Sequence, residues 1–116
     1  MSNQTEAIED IVVKFQARDL EGIRPYIHSD FTWFDHAGII VLQGAEIFLE
    51  AIERTWRENP NVVNTSSLCL QVGNLVSHTE SFRGYTDGHI EDWVWVYEFE
   101  GDAILKMYGF LNASAL

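Results

Sequence analysis

The chain has 116 residues, 47% hydrophobic and 22% charged, enough for one globular domain with a real core and too few for two. Seven basic residues against 18 acidic ones leave a net charge of −11, which repels phosphate backbones and anionic lipid surfaces and argues against nucleic-acid or membrane partners. The single cysteine, Cys69, excludes an internal disulfide and a cysteine-rich zinc site. With an N-terminus that lacks the basic and apolar regions of a signal peptide, this predicts a cytoplasmic protein.

In chain order, Asn3 to Arg18 reads as an amphipathic helix, with Ile8, Ile11, Val12 and Phe15 on one stripe and Asn3 or Thr5 as its cap. Asp19 restarts a short helix with Leu20, Ile23, Tyr26 and Ile27 on one side, which Pro25 requires to be brief or bent there. The stretch Phe31-Thr32-Trp33-Phe34-Asp35-His36-Ala37-Gly38 reads as a strand that turns at glycine. Alternation puts Phe31, Trp33 and Asp35 on one side. A carboxylate beside two aromatic rings either sits hydrated at the strand end, capping something, or lines a cavity that needs it.

Ala37-Gly38 turns the chain into Ile39-Ile40-Val41-Leu42, a second strand. Ala45 to Glu58 is the second long helix, stopped by Asn59-Pro60. From Val62 the hydrophobic period changes to two. Val62 to Val72, Leu75 to Arg83, His89 to Phe99 and Ala103 to Leu111 read as four antiparallel strands, with turns at Gly73-Asn74, Thr86-Asp87-Gly88 and Glu100-Gly101-Asp102. On the second of these, Val76, His78, Glu80 and Phe82 share a face. On the third, Glu91, Trp93, Trp95, Tyr97 and Phe99 share one face, and Val94 and Val96 occupy the other. Helices first and strands last predict an α+β fold, a curved antiparallel sheet wrapped around helices. The apolar outer face of the third strand calls for a second cover, and a homodimer supplies it.

Three segments carry a family resemblance. Asp19-Leu20-Glu21-Gly22-Ile23 resembles the junction after the first helix of the nuclear-transport-factor-2-like superfamily. The segment from Ser29 to Gly38 is similar to the strand "D-x-T-x-x-D-P-x-G" of its ketosteroid isomerases. Tyr97-Glu98-Phe99-Glu100-Gly101-Asp102-Ala103-Ile104 resembles the "F-x-F-x-x-G-K-I" hairpin near the family's C-terminus. The chain thereby resembles the ketosteroid isomerase and SnoaL-like polyketide cyclase branch. The resemblance implies a cone-shaped barrel with an apolar pocket, and it places Asp35 at the position of the isomerases' general base. The isomerases' oxyanion Tyr and Asp positions hold Ile11 and Trp95 here, which argues against steroid isomerisation by that mechanism.

The expected site therefore comprises Asp35 as base, His78 as acid or partner with Glu80 to orient it, and Trp95 as an N–H donor. Phe31, Trp33, Phe82, Trp93, Tyr97 and Met107 are the expected substrate wall. Tyr26 and Tyr108 are further candidate hydroxyls. His28, His36 and His89 make no metal signature, and Gly-rich phosphate loops are absent, so neither metal nor cofactor is expected. The function expected from this set is a small-molecule isomerase, cyclase or hydrolase acting on an apolar, ring-containing ketone or polyketide-like compound. A non-catalytic ligand-binding or dimerisation module is the alternative, and a protein-partner adaptor is a third. A solvent-facing Asp35, or a cone without a cavity, would sink the enzyme reading built on Asp35.

Overall fold

The structure, a computed structural model, describes residues 4–114. Its elements are α1 (Gln4–Gln16), α2 (Leu20–Ile23), a 3-10 turn (Arg24–Tyr26), β1 (Ile27–Phe34), β2 (Ile40–Gln43), α3 (Ala45–Glu58), β3 (Val63–Val72), β4 (Leu75–Arg83), β5 (Ile90–Glu100) and β6 (Ala103–Ser114). Asn3, an expected helix cap, lies outside the described residues, and Thr5 falls inside α1. Asp19 caps α2, its carboxylate accepting the Gly22 N–H at 2.9 Å. Pro25 is the second residue of the 3-10 turn, where its missing N–H has no partner to lose.

The six strands form one sheet in the order β2-β1-β6-β5-β4-β3. Every neighbouring pair is antiparallel except β1 and β6, which run parallel. The sheet is thus mixed, which corrects the expectation of an antiparallel one. Its cause is the connection: α3 carries the chain to the far edge, and the β3–β6 meander brings β6 back along β1 in the same direction. The ends β2 and β3 do not pair with each other, so the sheet curves into a cone-like shape without closing. The fold is α+β, as the element order implies. No helix among the described residues is long and apolar enough to cross a membrane.

Register settles which side chains face inward. Val76, His78, Glu80 and Phe82 of β4 stand opposite Tyr97, Trp95, Trp93 and Glu91 of β5. Their shared face packs toward Ile8 and Phe15 of α1 and toward Leu49, Phe48 and Ile52 of α3. The amphipathic stripes of the helices and the period-two face of the sheet therefore meet in one core. Gly109 of β6, opposite Trp95, permits a close approach of rings. A Cβ there would fall 2.5 Å from Trp95 Cζ3 and 2.8 Å from Trp93 Cζ3. Trp93 and Trp95 stack at 4.2 Å, and Trp33 meets both edge-on at 6.0 and 5.6 Å.

Candidate functional site

A cavity of about 360 Å³ lies between the inner face of the sheet and helices α1 and α3. Aliphatic and aromatic side chains form most of its wall. Ile8, Ile11 and Phe15 come from α1, Phe48 and Ile52 from α3, and Trp33, Phe82, Trp93, Trp95, Tyr97 and Met107 from the strands. Set into this wall are Asn64, His78, Glu80, Tyr85 and Glu91. Neither lysine nor arginine contributes to it.

Glu80 is the most perturbed group of the site. Oε1 accepts the indole N–H of Trp95 at 3.0 Å, and Oε2 accepts the amide N–H of Asn64 at 2.7 Å. The residue keeps some accessible surface because it borders the cavity, yet protein encloses its carboxylate on nearly every side. Burial pushes its pKa up to about 7, against the opposing pull of the two hydrogen bonds. Desolvation dominates because both donors are neutral and no cation is near enough to hold the charge.

His78 is 1% exposed. Its Nδ1 lies 3.0 Å from the Tyr97 hydroxyl, and burial drops its pKa to about 4, so the ring is neutral at pH 7. Its Nε2 has no protein partner. The phenol of Tyr97 is itself buried, and desolvation raises its pKa well above the usual range, so it remains an O–H. With Tyr97 donating to Nδ1, Nε2 carries the proton and offers a donor to a ligand oxygen. Trp33 Nε1 and Asn64 Oδ1, also on lining residues, are buried without partners as well. Buried polar atoms rarely go unpaired in folded proteins, and each costs on the order of 1–3 kcal/mol. All three belong to residues that line the cavity, so a polar ligand atom reaching them would relieve that cost.

At one end of the cavity Glu91 gathers a second cluster. Its Oε1 accepts from the Tyr85 hydroxyl at 3.1 Å and from Trp93 Nε1 at 2.9 Å, and its Oε2 meets His89 Nε2 at 2.7 Å. The other nitrogen of His89 contacts Asp87, and its ring stacks on Tyr85 at 4.1 Å. The hydrogen bonds to Glu91 and Asp87 raise the His89 pKa.

The sequence-expected residues divide sharply. His78, Glu80, Trp95, Trp33, Phe82, Trp93, Tyr97 and Met107 all border the cavity. Asp35 does not. β1 ends at Phe34, and the Asp35 carboxylate turns back on its own loop, accepting the N–H groups of Ala37 at 2.8 Å and Ile39 at 3.0 Å. These backbone donors, the Ile39 N–H foremost, lower its pKa, the opposite of what a buried base requires. Asp35 is the cap of the β1–β2 turn, and the general-base assignment is withdrawn. Phe31 is fully buried, but against Phe48 in the core at 4.5 Å and away from the cavity. The Trp95 N–H is engaged by Glu80, so it is no oxyanion donor. Nor does Glu80 orient His78, whose partner is Tyr97. Tyr26 donates to Asp10 and Tyr108 stacks on Phe34, both outside the cavity.

Asn64, Tyr85, Glu91 and His89 were not foreseen as site residues. A signal for Asn64 existed, since it follows Val62 at strand spacing, as Glu80 follows His78. The polar run Asn64-Thr65-Ser66-Ser67 masked it.

No family model matches the sequence, and no curated protein matches it. Solved structures do share its fold. The chain is similar to a cystatin-fold protein from Novosphingobium aromaticivorans at 22% identity and a TM-score of 0.84, covering 95% of this chain and 99% of that one. It is similar to an NTF2-like protein from Cytophaga hutchinsonii at 11% identity and 0.75, covering 97% and 92%. A further match is IdmH, a candidate polyketide cyclase from Streptomyces antibioticus, at 14% identity and 0.77, covering 96% and 93%. The chain has the NTF2-like fold, the one that its sequence resembles. At these identities the likeness is one of fold and does not carry an activity.

Proposed function

We propose that the protein is a small-molecule enzyme that moves a proton on an apolar, ring-containing carbonyl compound, with Glu80 as the acid–base group. One observation carries this reading: a carboxylate enclosed in an apolar cavity, with a pKa pushed up to about 7. A base is most useful when its pKa lies near the working pH, and burial is how a carboxylate gets there. Glu80 would take a proton from the carbon next to the carbonyl, and Nε2–H of His78 would donate to the oxygen as charge develops there. The two residues are two apart on one strand, so both side chains stand on the same inner face and reach the cavity from one side. Trp95 and Asn64 hold the carboxylate in place. The protein whose printed description names a candidate polyketide cyclase supports the substrate class only as an analogy of fold.

Proton exchange tests this without knowledge of the product. In D2O, NMR follows deuterium incorporation next to the carbonyl in a panel of ring ketones. The wild type should accelerate exchange, and Glu80→Gln should lose roughly 10²–10⁴-fold of that acceleration. Equal exchange by both proteins removes Glu80 as the base. Saturable binding without exchange supports the alternative, a ligand-binding module.

The outer face of the sheet supports the homodimer reading. Val94 pairs with Phe110 across β5 and β6, Val96 pairs with Tyr108, and Tyr108 stacks on Phe34 at 5.0 Å. Val94 and Phe110 are 43% and 44% exposed, at the centre of an apolar strip that a second copy would cover.

A further inference from the structure

The cavity is unusual in its charge as well as in its rings. Two carboxylic side chains, Glu80 and Glu91, border it, and no lysine or arginine does. His78 is held neutral by burial, and His89 meets only the Oε2 of Glu91, leaving Glu80 without a cationic partner. Arg18, whose guanidinium lies 5.9 Å from the ring centroid of Phe15, is engaged by the backbone carbonyls of Val62 and Pro60 and does not reach the cavity. The same wall holds the rings of Trp33, Trp93, Trp95, Tyr85 and Phe82, with the N–H edges of Trp95 and Trp93 on the carboxylates of Glu80 and Glu91. Ring faces carry the negative end of the aromatic quadrupole, and a desolvated cation against them is attracted. Asn64 adds a buried acceptor oxygen without a partner. A buried carboxylate without a cationic partner, an aromatic wall and an unpartnered amide oxygen all favour positive charge, within a chain of net charge −11.

We propose that the ligand of this cavity carries its own positive charge, as a tertiary or quaternary ammonium group on an apolar, ring-containing frame. The inference rests on the reading that the cavity is the ligand site, but not on turnover. It also meets two needs of the proposed chemistry. A cation beside Glu80 holds it as the carboxylate that a base must be. The same cation supplies the positive charge that no side chain of the cavity offers to a developing oxyanion.

Because ionised Glu80 is the form that attracts a cation, binding should weaken in acid. The titratable groups that share the cavity wall with Glu80 are His78 on its own strand, Glu91 and Tyr97 on β5, and Tyr85 in the β4–β5 loop. Cys69 on β3 lies near Tyr97, and His89 stands behind Glu91 at 2.7 Å, its pKa raised by that contact. Helices α1 and α3 present only uncharged side chains to the cavity. Of these, His78 stays neutral down to about pH 4, and Tyr85 and Tyr97 stay protonated because burial raises them.

The test compares phenyltrimethylammonium with tert-butylbenzene, its neutral isostere, by indole NMR shifts of the intact protein. At pH 8 the cation should bind at least tenfold more tightly. Between pH 8 and pH 6 it should lose about tenfold in affinity as Glu80, with a pKa of about 7, takes up its proton, while tert-butylbenzene changes little. Glu80→Gln should remove that pH dependence. Glu91→Gln is a second variant that lowers cation affinity without touching the Glu80 hydrogen bonds. Equal or tighter binding of tert-butylbenzene overturns the charge proposal and leaves the cavity reading intact. Binding of neither probe to folded protein overturns both.

Discussion

Glu80 and His78 should tilt the stability of the protein in opposite directions with pH, and removing either should expose the other. Burial raises Glu80 from its ordinary 4.5 to about 7. The folded state therefore holds this proton where the unfolded state has released it. Stability is intact below pH 4.5, falls as pH rises through the window up to 7, and bears the full penalty above it. A shift of that size corresponds to about 3 kcal/mol. His78 behaves in reverse. Burial lowers it from 6.5 to about 4, so the unfolded state takes up a proton that the folded state refuses. Its stabilisation, also about 3 kcal/mol, is present above pH 6.5 and is lost as pH falls toward 4. In the overlap the two slopes nearly cancel in the wild type. Glu80→Gln removes one of them. Urea unfolding followed by tryptophan fluorescence gives stability at each pH, and the difference between variant and wild type isolates Glu80. Any fixed cost of the amide against the Trp95 and Asn64 donors is independent of pH and drops out of the slope. The difference should move in favour of Glu80→Gln by about 3 kcal/mol between pH 4.5 and pH 7.5. A difference that is flat across this range refutes a carboxylate perturbed by burial.

Other substitutions probe the remaining parts. Gly109→Ala places a methyl group against the Trp93 and Trp95 rings and should destabilise by about 1–3 kcal/mol, with a changed near-UV circular dichroism spectrum. Tyr97→Phe strips the partner from His78 Nδ1 and should cost about 1–2 kcal/mol in thermal or urea unfolding. Asp35→Ala should loosen the β1–β2 turn yet leave ligand affinity and proton exchange unchanged, whereas a tenfold loss of either would restore a role at the site. Phe110→Glu puts a charge in the apolar outer strip, and on the proposed homodimer sedimentation equilibrium should report a dimer for the wild type and a monomer for the variant, equal masses refuting the dimer.

Much of the fold was legible because its signals are local. The change from helical period to period two at Val62, and the turn residues Gly73-Asn74, gave β4 its bounds and put His78 and Glu80 on the face of Val76, which is fully buried. The parallel pairing of β1 with β6 was not legible, since it joins segments some 70 residues apart and leaves no pattern in either. Asp35 was misread for a physical reason. Alternation along Phe31, Trp33 and Asp35 holds only while the chain stays a strand, and β1 stops at Phe34. One residue later an aspartate three positions before a glycine follows turn chemistry, folding its carboxylate onto the next backbone N–H groups. The site then moved from an edge of the sheet to its inner face, where Glu80 had been given a supporting part. Asn64, Tyr85 and Glu91 join it from β3, a loop and β5, and only tertiary structure brings such positions to one cavity.

Glu80 is a buried carboxyl group that burial poises near neutral pH. Carbon-13 NMR of the glutamate carboxyl groups, with Glu80→Gln to assign the signal, measures this directly. A midpoint near 7 is the expected result. A midpoint near the ordinary 4.5 would contradict it.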